Sequence, residues 1–270
     1  MTRALCAFLL LNVFPASVFG QEYQRATTGG EDAHYLFWRD RLISFVIDSA
    51  GCPDTDIGHA RSAVVNAFNV WESPPCTDLF FSFQGYADGA EPNQLSGEAD
   101  GNNLIVWLDE WPPEWGADQV ANTRIIWNER TGEILDVDIC LNAQDYYWTA
   151  SDRTVNDIQD VMVHEIGHLL GFAHTTDPEA SMYDGYTEGE IIKRDLSGTD
   201  IRGVCEVYPA GMPTPGVTGL SMYDIELSTG GCQCRQGAGA PEGWMLLVLL
   251  AAFGVVLRRG SRKRPRVSGR

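Results

Sequence analysis

Basic residues are scarce in the body of this chain. Between residues 21 and 231 there are 36 Asp and Glu against 10 Lys and Arg, an imbalance that the whole-chain net charge of −18 understates because both termini are basic. Such a surface repels phosphate backbones, which excludes a nucleic-acid-binding role. Histidine is rarer still, with 5 in 270 residues. No apolar run reaches the ~20 residues that span a 30 Å hydrocarbon core; the longest sit near the two ends. Acidic residues are plentiful, but nowhere do they fall at EF-hand spacing. The cysteines of the body, Cys52, Cys76, Cys140 and Cys205, are too far apart in sequence to make a cysteine zinc site.

Against this background, residues 161–174 (VMVHEIGHLLGFAH) hold three of the five histidines, in the pattern H-E-x-x-H-x-x-G-x-x-H. Four residues of helix turn through about 400°, so His164 and His168 share one face a turn apart. Two imidazoles so placed can bind one metal, and Zn²⁺ favours neutral histidine nitrogen. Glu165 lies beside the first ligand, within reach of a water on that metal. Gly171 supplies a left-handed residue to end the helix, so that the chain swings back and brings His174 in as a third ligand. A fourth position left to water marks a catalytic site. An amphipathic core helix would explain Val161, Ile166, Leu169 and Leu170 but not the histidines. The five fixed positions should match by chance in roughly one chain in 10⁵.

The segment resembles the zinc site of the metzincins, and among them the matrixins. His174 is followed by Thr175 and, eight residues on, by Met182 in a Ser-Met-Tyr run, which is similar to a matrixin Met-turn. Residues 67–71 (AFNVW) and 196–209 (LSGTDIRGVCEVYP) resemble the ends of the first and last matrixin helices. The resemblance implies an α+β metzincin fold: a twisted mixed five-stranded sheet, three main helices and a Met-turn under the active-site helix. It implies a zinc metalloendopeptidase with one catalytic Zn²⁺ on His164, His168 and His174. Glu165 would act as general base and then acid, and Met182 would form an apolar floor without ligating. A protein or peptide substrate would lie extended along an edge strand, with residues 104–108 the first candidate, and residues 183–195 would wall the pocket beyond the scissile bond. Tyr183 or Tyr186 would be a fifth ligand in an astacin-like branch, which the residues after His174 do not match. A second class stays open: a catalytically idle surface adhesin that keeps the fold.

Matrixins also hold Ca²⁺ in acidic loops. Asp88, Glu91, Asp100 and Asn102, in the Gly- and acid-rich stretch 84–102, and Asp136 and Asp138, near a strand end, can supply its hard oxygens. The alternatives are a solvated loop for the first four, and for Asp136 and Asp138 the tying down of loops or the polar face of a half-exposed strand. The chain departs from the family in three ways: it has too few histidines for a second, structural zinc, a lead-in too short for a matrixin prodomain, and no cysteine switch.

In chain order, residues 1–20 read as a secretory signal peptide, with a basic start, an apolar run and small residues before a cut. Residues 21–35 read as a flexible lead-in and 36–209 as one catalytic domain. Within it, residues 41–47 (RLISFVI) alternate as a strand. A helix over 59–71, capped by Asp54 or Asp56, carries an apolar stripe. Strands are predicted at 79–83 and 104–108, and a hairpin joins 123–127 to 134–141 through Thr131-Gly132. Thr154 is the predicted cap of the zinc helix. Four body cysteines in a secreted chain suggest two disulfides with three pairings open; Cys52–Cys76 with Cys140–Cys205 is preferred.

Residues 210–231 read as a linker and 232–270 as a tail. The tail has Cys232-Gln233-Cys234, an apolar segment at 243–257 and a terminus with seven basic residues. It resembles myxosortase-type sorting signals, which implies a sorting peptidase as partner and attachment to the outer surface; a plain membrane anchor is the alternative. A monomer is expected.

Overall fold

In a computed structural model, the structure describes residues 23–89, 92, 99–151, 155–214 and 227–235. The expected signal peptide, the apolar and basic tail segments, Glu91 and Thr154 lie outside the described residues. Among the described residues, no helix is long and apolar enough to cross a membrane.

After a short strand β1 (Gln24–Arg25) comes β2 (Leu42–Asp48), whose Ile43, Phe45 and Ile47 point into the core, as the alternation predicts. Helix α1 (Ile57–Glu72) starts at Asp56, whose carboxylate accepts from the backbone N–H of Gly58 and His59. Its buried stripe includes Ala60, Val64, Ala67, Phe68 and Trp71, the apolar spacing read from sequence. Strands β3 (Phe80–Ala87), β4 (Asn103–Leu108), β5 (Gln119–Asn128) and β6 (Ile134–Asn142) follow. The β5–β6 hairpin closes where Thr131 and Gly132 N–H both donate to Asn128 O, with Gly132 at φ 75°. Short strands β7 (Trp148–Thr149) and β8 (Asn156–Asp157) pair in parallel just before helix α2 (Ile158–Leu169). Strand β9 (Phe172–Ala173), helix α3 (Gly198–Val207) and strand β10 (Leu227–Arg235) complete the order.

The main sheet runs β10-β5-β6-β4-β2-β3. Its body is the expected mixed five-stranded sheet: β2 is parallel to β3 and β4, β4 is parallel to β6, and β5 returns antiparallel. Helices α1 and α2 pack together over a continuous core. Trp71 stitches them, its indole N–H donating to Val163 O at 2.8 Å while its ring stacks on Phe172 at 5.6 Å. A buried indole N–H without a partner would cost about 1–3 kcal/mol, so this bond fixes the spacing of the two helices.

Four expectations change. The lead-in is not loose. β1 pairs antiparallel with β9, Ala26 N–H donates to Gly171 O at 2.8 Å, and Tyr23 packs edge-on against Phe172. The linker ends early, because residues 227–235 form β10, a sixth strand across the presumed boundary at 231. Strand β4 is no edge; it lies between β2 and β6. The preferred disulfides are also overturned: Cys76 joins Cys205, with Cα atoms 5.3 Å apart and 129 residues between them in sequence. The reason is tertiary. Thr77 bridges Pro209 and Ala210 N–H donates to Cys76 O at 2.8 Å, which lays the end of α3 beside the turn after α1. Cys52 and Cys140 are buried elsewhere, the latter within β6.

A bridge closing so long a loop should stabilise by about 2–5 kcal/mol. The double substitution Cys76→Ser with Cys205→Ser should lower the unfolding free energy measured in urea by that amount under non-reducing conditions. Peptide mapping without reductant should return the Cys76–Cys205 pair.

Candidate functional site

Helix α2 is set in place before it carries anything. Asp157 caps it, accepting from Asp160 N–H at 2.9 Å and holding Arg194 through both carboxylate oxygens. The cap is thus Asp157, three residues after the Thr154 expected from sequence. The helix ends at Leu170, and Gly171 takes φ 84°. A Cβ there would sit 2.6 Å from Leu36 O, so glycine is required both for the turn and for the strand crossing it.

The turn brings the three histidines together. Their Nε2 atoms lie 3.2 Å (His164–His174), 3.1 Å (His164–His168) and 3.1 Å (His168–His174) apart. Tetrahedral nitrogens about 2.0–2.1 Å from Zn²⁺ would be roughly 3.3 Å apart, so the triangle fits that ion. Each helical imidazole is fixed from behind. His164 Nδ1 meets Ser181 O at 2.5 Å and His168 Nδ1 meets Phe172 O at 2.8 Å. Donating to a carbonyl from Nδ1 leaves the Nε2 lone pair facing the centre. Burial drives the protonation of all three rings down, that of His168 to about 3. The Lys193 side chain adds to this at His164, where its Nζ lies 3.4 Å from Nδ1. At His174, Asp184 pulls the other way. Neutral, converging imidazoles are the state a metal requires. Among the described residues, no other group of three His, Cys, Asp or Glu side chains comes together in this way.

Glu165 is buried beside them, and Thr123 Oγ1 on β5 donates to its Oε2 at 2.5 Å. Below lies the Met-turn. Ser181 and Met182 N–H both point at the Asp200 carboxylate, at 2.8 and 3.4 Å, and Thr175 N–H donates to Met182 O at 2.9 Å. Asp200 also closes the capping box of α3 with Ser197. Met182 is buried, and a Cβ on Gly167 would meet its Sδ at 2.0 Å. Gly167 therefore lets the Met-turn rise against the helix, as expected of an apolar floor.

Of the acidic residues considered for calcium, Asp136 and Asp138 are buried and tie down the preceding loop. Asp136 Oδ2 accepts from Asp100 N–H at 2.9 Å, and Asp138 Oδ1 accepts from Leu104 N–H at 2.9 Å. Asp100 accepts from Asn102 N–H at 2.8 Å, and Asp88 sits apart at the end of β3.

Sequence reasoning missed Thr123, Gly167, Lys193, Arg194, Asp200 and Asp160. Glycine between Glu165 and His168 was a visible signal for close packing. The others depend on tertiary approach. Asp160 is fully buried, one turn before His164; its Oδ1 accepts from Lys193 N–H at 2.8 Å, while Oδ2 finds no hydrogen-bond partner among the described residues. Burial pushes its carboxyl up to about 7, against the pull of the Lys193 backbone and side chain. The folded state then binds this proton more tightly than the unfolded chain. Stability from it is complete below about pH 4 and is lost as pH rises toward 7. Asp160→Asn keeps an acceptor for Lys193 N–H. It should leave stability at pH 4 nearly unchanged and raise it at pH 8 by about 2–4 kcal/mol, read from urea unfolding at both pH values.

Comparison with known proteins bears on the same segment. The matrixin family model matches residues 124–209. Metalloendoproteinase 2-MMP of Arabidopsis thaliana is 35% identical over 103 residues, covering 37% of this chain and 27% of that protein. Macrophage metalloelastase of Oryctolagus cuniculus is 38% identical over 171 residues, covering 63% and 33%. Human matrix metalloproteinase-15 is 28% identical over 161 residues, covering 58% and 23%. The chain thus spans a third or less of the length of these relatives. The family-model match takes in most of the β5–β6 hairpin, α2, the Met-turn and α3, and over that segment the chain is similar to the matrixins, with the α+β metzincin fold.

Proposed function

We propose that this protein is a zinc-dependent endopeptidase. The observation that carries the reading is the triangle of converging Nε2 atoms, on two buried rings and one half-buried, with the buried Glu165 beside it. His164, His168 and His174 would hold Zn²⁺, which when bound supplies Lewis acidity to activate water and polarise the scissile carbonyl. The chain's own residues do the rest. Glu165 takes the proton from the attacking water as oxygen bonds to the carbonyl carbon. It delivers that proton to the nitrogen as the C–N bond breaks. Thr123, donating to Oε2, orients the carboxylate. Ser181 O and Phe172 O keep the imidazoles from rotating. Met182 is no ligand; it keeps the floor apolar.

A peptide substrate would add as a strand to the outer edge of β5, the body strand that touches Glu165. The loop 183–195 would wall the site, pinned to the start of α2 by Arg194–Asp157 and Lys193–Asp160. From the sequence of the two ends, the protein would be secreted and surface-attached, monomeric, and handled by a sorting peptidase.

The first test is paired on the full chain: metal content by atomic emission, and cleavage of denatured casein, for wild type and Glu165→Gln. Wild type should carry about one zinc per chain and cleave, and the variant should keep the zinc but lose at least about 100-fold in rate. Equal cleavage by both, or a zinc-loaded wild type that cleaves nothing even after the chain is cut within residues 215–226, would sink the peptidase reading.

A further inference from the structure

The outer edge of β5 is already taken. Residues 227–235 run antiparallel along it through nine successive pairs, from Leu227↔Asn128 to Arg235↔Gln119, with one irregularity between Cys234 and Arg235. The other edge of β5 belongs to β6, so an incoming peptide strand has only this edge. Cys232 pairs with Thr123, the residue whose hydroxyl reaches Glu165. The tail strand therefore crosses at the level of the site, and it uses the backbone N–H and C=O groups that an extended substrate would need.

We propose that Leu227–Arg235 is a self-supplied substrate mimic that holds the outer edge of β5 and keeps the site latent until the tail is displaced or cut. The inference rests on the peptidase reading for its consequence but not for the occupancy itself. Thr214, anchored to Trp38 O at 3.0 Å, is the last described residue before the gap to Leu227. The segment 215–226 that joins them can span at most roughly 40 Å. A tether this short holds its strand at an effective concentration on the order of millimolar. A free peptide of similar intrinsic affinity must exceed that concentration to displace it. A cut anywhere in 215–226 converts the strand into a dilute second molecule and frees the edge. The block proposed is backbone strand pairing, which is reversible and requires no covalent step.

The test uses the full, zinc-loaded chain with Gly230→Pro and Gly231→Pro together. N–H groups of adjacent strand residues point opposite ways, so one of the two prolines removes a donor to β5 whichever faces it. A second form carries a site-specific protease sequence inserted in 215–226, folded intact and then cut. The probe is a fluorescein-labelled peptide of residues 227–235, kept reduced and followed by anisotropy. It should bind the proline variant and the cut form at least ten times more tightly than wild type. Both should also cleave denatured casein at least ten times faster. Equal peptide affinity and equal rates in all forms would overturn the proposal while leaving the peptidase reading intact. Differential peptide binding with no cleavage by any form would support the occupancy and defeat the peptidase reading.

Discussion

Three imidazole lone pairs converging on one buried point are mutually repulsive without a cation, and the rest of the structure is arranged to hold them there. His164 is fixed by Ser181 O, which belongs to a turn held by Asp200 from α3. His168 is fixed by Phe172 O, in a short strand braced by β1. His174 is delivered by the left-handed turn at Gly171, which Leu36 O crosses too closely for any side chain. The backbone carbonyls that orient the rings therefore come from segments that are themselves tied by the N-terminal strand and the last helix. Loosening either end of the domain would act on the metal site through these carbonyls, without touching a ligand.

The start of α2 shows the same economy in charged groups. Asp157, Asp160, Lys193 and Arg194 lie together, three of them buried. Buried ion pairs are poor sources of net stability, because desolvation offsets much of the attraction. Asp160 illustrates the point: burial outweighs the nearby lysine and lifts its carboxyl toward neutrality. The cluster gives geometry instead. It clamps the 183–195 loop to the helix that carries His164 and Glu165. The loop is thereby held at a fixed distance from the histidine triangle. Lys193 reaches further, donating to Tyr183 O at 2.5 Å and lying against His164.

Much of this was legible in the sequence because it depends on local periodicity. The alternation of 41–47, the apolar stripe of α1, the β5–β6 hairpin and the five spaced residues of 164–174 all declare themselves within a dozen positions. The resemblance then supplied what spacing alone could not, namely the place of Met182 and a mixed five-stranded sheet, though not the strand at its edge. What was not legible depends on approach between distant segments. Cys76 and Cys205 meet because Ala210 N–H bonds Cys76 O, which no spacing rule encodes. Arg25 and its neighbours look like a polar leader until Phe172 gives them a strand to pair with. Thr123 is one threonine among several in the chain until the hairpin sets it under Glu165. Residues 227–231, at the end of a stretch that reads as linker by composition, are strand because they pair with the edge of β5.

That edge poses two opposed demands. A strand that must accept an extended peptide has to leave its N–H and C=O groups unpaired. An unpaired, regular edge also invites pairing with any other chain, including another copy of itself. Charged or bulged edges avoid such pairing at the expense of the very regularity that a peptide substrate needs. A short tethered strand from the same chain meets both demands. It covers the edge by backbone pairing along β5, at an effective concentration on the order of millimolar. It also ties access to the site to the fate of the segment beyond. The glycine pair at 230 and 231 suits that role, since glycine weakens a strand's intrinsic preference. The occupant is then held by its tether more than by its own sequence, and it can leave when the tether is cut.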